Sequence, residues 1–335
     1  MSYFTLGDLA QFRIMTRHGT RLRSQMNELS VEATTGLTAD KTTRLKGNYV
    51  QLAGIESRLN QIEAFRNVTT EQLILTSGMQ TALSTVTDQT KALGAALLAG
   101  VSSQSDLRID ALADQAMSTL QSSLSALNSR IGERALFSGT ATDVSPFGSA
   151  EDLMVALKDA VTASGALTSA GVAAAVEDFF ADPAGFQAVM YKGSGATNAV
   201  QIGPDETAQI DITGMDPAVV AAIKGTAMAG LLAEGVLAGS TTGRSDLMKR
   251  AGESLIGTQQ MLASLTARLG TTEAAMQNAA TRNDAEKNAL ETARLNLLSV
   301  DPYAVAAKYQ ETQGQLEKLY TLTSRASRLS LVDYL

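Results

Sequence analysis

The stretch LASLTARLGTTEAAMQNAATRNDAEKNALETARLNLL, residues 262–298, repeats itself every seven residues. Leu262, Leu269, Met276, Asn283, Leu290 and Leu297 stand in strict register. Leu265, Thr272, Ala279, Glu286 and Ala293 fill the companion position. Residues three and four apart share one helix face, so the pattern predicts a long helix whose apolar seam packs on other helices. Asn283 and Glu286 interrupt that seam. A polar seam residue can fix register at a cost in stability; the other reading is that the helix turns out of its core there. At ~1.5 Å per residue, a helix from about 244 to 299 would run about 80 Å, and none that long is stable without partners.

Proline placement extends the reading to the whole chain. The five prolines lie at 146, 183, 204, 217 and 302, so residues 1–145 and 218–301 contain none. Proline removes a donor and clashes with the preceding turn, so these two stretches read as helical and the punctuated middle as mixed. Met15, Leu22 and Leu29 recur every seven residues, with Met26 and Ala33 four residues after two of them; Leu52, Ile55, Leu59 and Ile62 follow a 3-4-3 spacing. The partners of the long C-terminal helix are therefore expected between about 45 and 130. Asp301-Pro302 restarts a helix, by a side-chain cap and a proline that loses no hydrogen bond. Leu316, Leu319, Leu322, Ala326 and Leu329 give that helix one apolar face, which is expected to pair with the helix around Met15 to Ala33.

The middle changes character. Residues 151–180 are Ala-rich and expected to be helical. Val189–Tyr191, Asn198–Ile202 and Ala208–Ile212 read as strands of a meander, with turns at Gly193, Gly195, Gly203 and Pro204. Asp216-Pro217 opens another helix. The fold class is thus mainly α, a long antiparallel helical bundle formed by the N- and C-terminal segments with a small α+β middle. Three segments follow: 1–42 with 300–335, 43–140 with 240–299, and 141–239.

Composition agrees. Of 335 residues 44% are hydrophobic but only 4% aromatic, with no tryptophan, which suits helices that approach closely through small side chains. The net charge of −7 is uneven: twelve acidic residues face three basic ones between 140 and 240, leaving the remainder about +2. An acidic middle on near-neutral ends reads as a solvated outer domain, and the pI near 4.9 without a Lys/Arg stripe argues against nucleic acid. No apolar run is long enough to span a bilayer, so no membrane insertion is expected. Residues 1–8 carry no secretory signal pattern, which alone would indicate a cytoplasmic protein.

Chemistry finds little support. The chain has no cysteine and one histidine, His18, so thiolate chemistry and His clusters are excluded within one chain, and a solvent-facing or packing role for His18 outweighs a catalytic one. Gly193–Asn198 lacks the lysine of a phosphate loop and reads as a turn. The pairs Glu151/Asp152, Glu177/Asp178 and Asp205/Glu206 are adjacent in sequence and do not converge on one point, so they read as solvating charges. Asn67-Val68-Thr69 is a glycosylation sequon inside a helical stretch. No enzyme activity, cofactor or metal is expected.

Four motifs in order give a resemblance. Asn128-Ser-Arg-Ile-Gly-Glu-Arg-Ala-Leu-Phe-Ser-Gly-Thr140, then Pro146-Phe147, then Tyr191-Lys192-Gly193 leading through Val200–Gly203 to Ile212-Thr213-Gly214, and finally Leu329-Ser-Leu-Val-Asp-Tyr-Leu335 are similar to elements of the bacterial flagellin family, in its hook–filament junction branch. Ser30–Gly36 resembles its Ser-Thr-Gly element. The resemblance implies terminal helices in the inner tube of the flagellum, a helical bundle around them and an outward middle domain. It implies export by the flagellar secretion apparatus without a cleaved signal. Its implied partners are copies of the chain in a ring, the first hook-associated protein, flagellin and an export chaperone. Two terminal helices bury little surface alone, so the expected assembly interface comprises Met15, Leu22, Met26, Leu29, Leu316, Leu319, Leu322, Leu329, Leu331 and Tyr334. A divergent flagellin and, more distantly, a cytoplasmic coiled-coil scaffold remain alternatives.

Overall fold

The computed structural model describes residues 6–101 and 105–328. The chain divides into two compact units, Met1–Glu63 with Asp284–Leu335, and Ala64–Asn283. It is mainly α, as the periodicity predicts. Ten helices are described: α1 (Leu6–Thr35), α2 (Lys41–Arg44), α3 (Val50–Gly100), α4 (Asp106–Leu127), α5 (Ala150–Ala163), α6 (Ser169–Ala181), α7 (Ala188–Met190), α8 (Pro217–Gly230), α9 (Thr241–Leu298) and α10 (Pro302–Arg328). The strands are two-residue pairs: β1 (Arg130–Ile131) with β2 (Arg134–Ala135), and β3 (Val200–Gln201) with β4 (Thr207–Ala208), both antiparallel.

In the first unit, α1 and α10 run antiparallel. Gly36 closes α1 in the left-handed region at φ 70°, and the chain beyond it pairs with the chain entering α10. Thr38 N–H donates to the Leu298 carbonyl at 2.9 Å, and Val300 N–H to the Gly36 carbonyl at 3.0 Å. Asp40 caps α2 by accepting from the Thr43 backbone and hydroxyl, which holds its carboxyl below the usual carboxylate range. Asp301 caps α10 by accepting from Tyr303 N–H at 2.9 Å. Leu45, Leu52 and Leu298, with Leu37 and Leu297 against them, make a small core. The parts of α3 and α9 in this unit are joined by ion pairs. Lys287 reaches Glu63 at 3.0 Å, and Arg58 holds Glu286 through two nitrogens at 2.6 and 3.0 Å.

The second unit is a bundle of α3, α4, α8 and α9, with α5 and α6 packed on it around one continuous core from Leu75 to Leu269. Cross-links along α3 order its neighbours. Gln80 and Thr90 of α3 meet Thr266 and Gln259 of α9, while Gln89 of α3 meets Ser122 and Ser123 of α4 and Gly100 abuts Leu112, so both neighbours are antiparallel to α3. Arg244, only 7% exposed, ties the start of α9 to the start of α4 through Asp106 and Asp110. The helices come together on glycine. A Cβ on Gly252 of α9 would stand 2.9 Å from Leu98 of α3, and one on Gly225 of α8 would stand 2.7 Å from Leu255 of α9. α8 is apolar almost all round and correspondingly buried. Its one charge, Lys224, pairs with Glu177 at 2.6 Å.

A group of aromatics gathers where the loops meet. Phe180 stacks on Phe186 with centroids 4.5 Å apart, and Phe147 lies 6.1 Å from Phe186 and 5.8 Å from Tyr191. Asn128 clasps Phe147 from both sides: its Nδ2 donates to the Phe147 carbonyl at 3.1 Å and its Oδ1 accepts from Phe147 N–H at 2.9 Å. The Tyr191 hydroxyl donates toward the carbonyls of Phe137 and Ser194, and burial pushes the phenol's pKa up. Ser194 N–H donates to the Ser138 carbonyl and Thr140 N–H to that of Gly195. Three of the sequence motifs therefore converge on one loop knot.

The meander is smaller than its hydrophobic pattern suggests. Residues 188–190 form a helical turn instead of a strand, continuing the turn at Pro183–Gln187 so that Phe186 and Met190 both reach the core. Tyr191 keeps a single bridge to Phe147, flanked by bonds from Gly148 N–H to the Met190 carbonyl and from Lys192 N–H to the Pro146 carbonyl. Past Ala208 the chain leaves the ladder. The side chains of Thr197 and Gln209 then bond the Ile210 and Thr197 carbonyls at 2.8 Å. Asn283 does not turn out of the seam. It is 4% exposed, and its Nδ2 donates to the Ile202 carbonyl at 2.8 Å.

Two predictions follow from these contacts. The hydrogen bonds from Arg58 hold the Glu286 carboxyl below the usual carboxylate range. A carboxyl more acidic when folded stabilises above its unfolded pKa and loses that contribution as pH falls through the folded value. The wild-type advantage over Glu286→Gln in thermal unfolding should therefore be present at pH 7 and vanish toward pH 3; an equal gap at both ends would show that the pair does not titrate. Gly139 sits at φ 65°, where a Cβ would overlap the Gly195 carbonyl oxygen and lie 2.6 Å from that of Ser194. Gly139→Ala should cost ~2 kcal/mol or more in denaturant unfolding. Gly195→Ala, where a Cβ meets nothing within 4 Å, should stay within ~0.5 kcal/mol.

Candidate assembly interface

The α1/α10 pair is built from residues at four- and three-residue steps. Met15, Gly19, Leu22, Met26 and Leu29 line one face of α1, and Thr312, Leu316, Leu319 and Thr323 line one face of α10. Across the pair, the Thr323 hydroxyl lies 3.7 Å from the Met15 sulfur, and a Cβ on Gly19 would sit 3.5 Å from Leu319. Arg23 Nε donates to the Tyr320 hydroxyl at 3.2 Å, with its guanidinium 5.9 Å from the ring centroid. Gly19 and Leu29 are buried, as is Thr312, whereas Met15, Leu22, Met26, Leu316 and Leu319 are only half-buried. Two helices cannot enclose each other's apolar faces, so the seam stays partly wet.

Leu322 lies apart from this seam. It is 57% exposed, because the α10 face continues from Leu319 to Thr323. Leu329, Leu331 and Tyr334 lie outside the described residues. The structure adds apolar residues that the heptad reading passed over: Phe12 at 62%, Ile14 at 56% and Tyr303 at 88% exposure, with Val31 half exposed. They fall off the repeat, and the only signal for them in the sequence is their size on otherwise polar surface.

The residues examined for chemistry are spoken for elsewhere. His18 is exposed on α1. Asp152 forms a capping box with Ser149, while Glu151 accepts from Gln121. Glu206 pairs with Arg282. Gly193 and Ser194 pack on Ser138. Thr69 of the sequon is buried inside α3, bonded to the Phe65 carbonyl. Among the described residues no group of three or more His, Cys, Asp or Glu side chains could hold a metal ion, and no helix is long and apolar enough to cross a membrane.

Comparison with known proteins adds a family signal over this region. The model of the bacterial flagellin C-terminal helical region matches residues 255–335, most of α9 and all of α10. No curated protein matches the sequence. Among solved structures, FlgL of Bacillus cereus aligns with 72% of this chain and 100% of its own at 12% identity and a TM-score of 0.50. A protein described as flagellar hook-associated, from Vibrio parahaemolyticus, aligns with 73% and 99% at 15% identity and a TM-score of 0.42. The C-terminal quarter of the chain thus fits the flagellin family, on a fold similar to that of the Bacillus cereus protein.

Proposed function

We propose that this chain is a non-enzymatic structural subunit of the bacterial flagellum, specifically the junction subunit known as hook-associated protein 3. The observation that carries this reading is the incomplete α1/α10 pair. Its seam is only half closed within the protomer, and Phe12, Ile14 and Tyr303 project from the same unit into solvent. The flagellin C-terminal match covers α10 itself. Exposed apolar side chains gain by burial against neighbours at ~25 cal/mol per Å² removed from water. In this reading residues 1–42 with 300–335 line the inner tube, 43–140 with 240–299 form the surrounding bundle, and 141–239 face outward. Copies of the chain form a ring between the first hook-associated protein and flagellin, after export in the keeping of a chaperone and without a cleaved signal.

Flagellin proper is the second reading, favoured by the family whose C-terminal region matches. Seeding separates them: purified chain added to filament fragments elongates them if it is flagellin and adds no length if it is a junction subunit.

The exposed residues give the direct test. Phe12→Ser and Tyr303→Ser should leave the monomer's unfolding within ~0.5 kcal/mol of wild type, since neither is buried there. The same variants should fail to restore motility in a strain lacking the gene. Removing residues 330–335 should likewise leave helical content intact and abolish incorporation into flagella. Normal flagella assembled from both point variants and the truncation would overturn the proposal.

A further inference from the structure

The short β3–β4 hairpin stands apart from the rest of its unit. Its apolar cluster of Ile202, Ala208, Met276 and Ala279, with Leu73 and Val200 against it, is separate from the continuous core. The chain on either side is anchored elsewhere. Tyr191 to Ser194 belong to the loop knot, and Ile210 and Ile212 belong to the main core. Between these anchors the neck is closed by the side chains of Thr197 and Gln209. Its tip is held by bonds from Ile202 and Gly203 N–H to the Glu206 carbonyl, at 3.0 and 3.3 Å. A two-stranded hairpin of this size has little stability of its own.

Two polar contacts between this segment and α9 bear on how it is seated. One is the pair of Arg282 with Glu206, whose side chains are 57% and 48% exposed, a geometry in which solvent screens most of the attraction. The other is the buried Asn283 amide on the Ile202 carbonyl. A carboxamide shut away from water must find a partner, so any other register of the hairpin on α9 would strand it. Lifting the hairpin returns both groups to water at little polar cost. The arrangement is therefore strict about position and lenient about opening.

We propose that residues 197–209 form a strap that opens and recloses on α9 independently of the bundle core, with Asn283 as the residue that fixes its seat. The strap covers Met276, which is fully buried when it is closed. This inference does not depend on the flagellar reading, since it concerns the isolated chain.

Two measurements on the full-length protein test it. In native-state hydrogen exchange the Ile202 amide should exchange at least about 100-fold faster than core amides such as Leu83 and Leu262, with a weaker dependence on denaturant than theirs. Under dilute hydrogen peroxide, Met276 should accumulate sulfoxide ahead of Met79 and Met248, which are equally buried but lie in the main core. Asn283→Ala should raise the Ile202 exchange rate by about tenfold and leave core exchange unchanged, whereas Arg282→Ala should change it less than about threefold. If Ile202 exchanges and Met276 oxidises only in step with the core of the wild-type protein, the strap is no separate element. If Asn283→Ala moves core and strap together, Asn283 is not its pin.

Discussion

The bundle rests on how closely its long helices approach one another. Gly252 on α9 and Gly225 on α8 leave no room for even a methyl group against Leu98 and Leu255. At that spacing bulky side chains are unusable, and alanine, leucine and hydroxyl residues fill the interface instead. Serine and threonine inside such helices return their hydroxyls to the preceding turn, as Thr90 does to Val86 and Thr226 to Ala222. The low aromatic content is thus a requirement of the packing. The rings that do pack on one another, Phe147, Phe179, Phe180, Phe186 and Tyr191, lie outside the interface of the long helices.

The acidic middle has a separate explanation. Carboxylates there do local structural work: Asp152 and Asp216 cap helices, and Glu177 and Glu234 pair with Lys224 and Lys158. Distributed in this way they solvate the surface without gathering at one place. A reading that counts acidic residues per segment sees a charged domain, while one that follows each carboxylate to its partner finds caps and ion pairs.

Much of the helical architecture was legible because its signal is periodic. Leu262, Leu269 and Met276 are buried in the order the heptads require, and Asp301-Pro302 and Asp216-Pro217 start helices where their chemistry allows. The misreadings fall where pattern length is short. Val189–Tyr191 has the composition of a strand, yet three residues cannot distinguish a strand from a helical turn when both bury Met190. Asn283 looked like a flaw in a helix–helix seam because its partner, the Ile202 carbonyl, lies eighty-one positions away in a loop. At the candidate interface, repetition located the α1/α10 seam but not Phe12 or Tyr303, since apolar residues outside a repeat carry no marker of what they face. Leu322 shares the spacing of Leu316 and Leu319 but is exposed, because the face turned to α1 continues to Thr323.

The Asn128 clasp has a chemical corollary. With one donor and one acceptor set side by side, its carboxamide stands in for a peptide group and completes a backbone edge at Phe147. Aspartate has the same shape but, when ionised, accepts only. Loss of ammonia from this side chain would set two acceptors against each other where a hydrogen bond had been, beside the packed Phe147 and Phe186 rings.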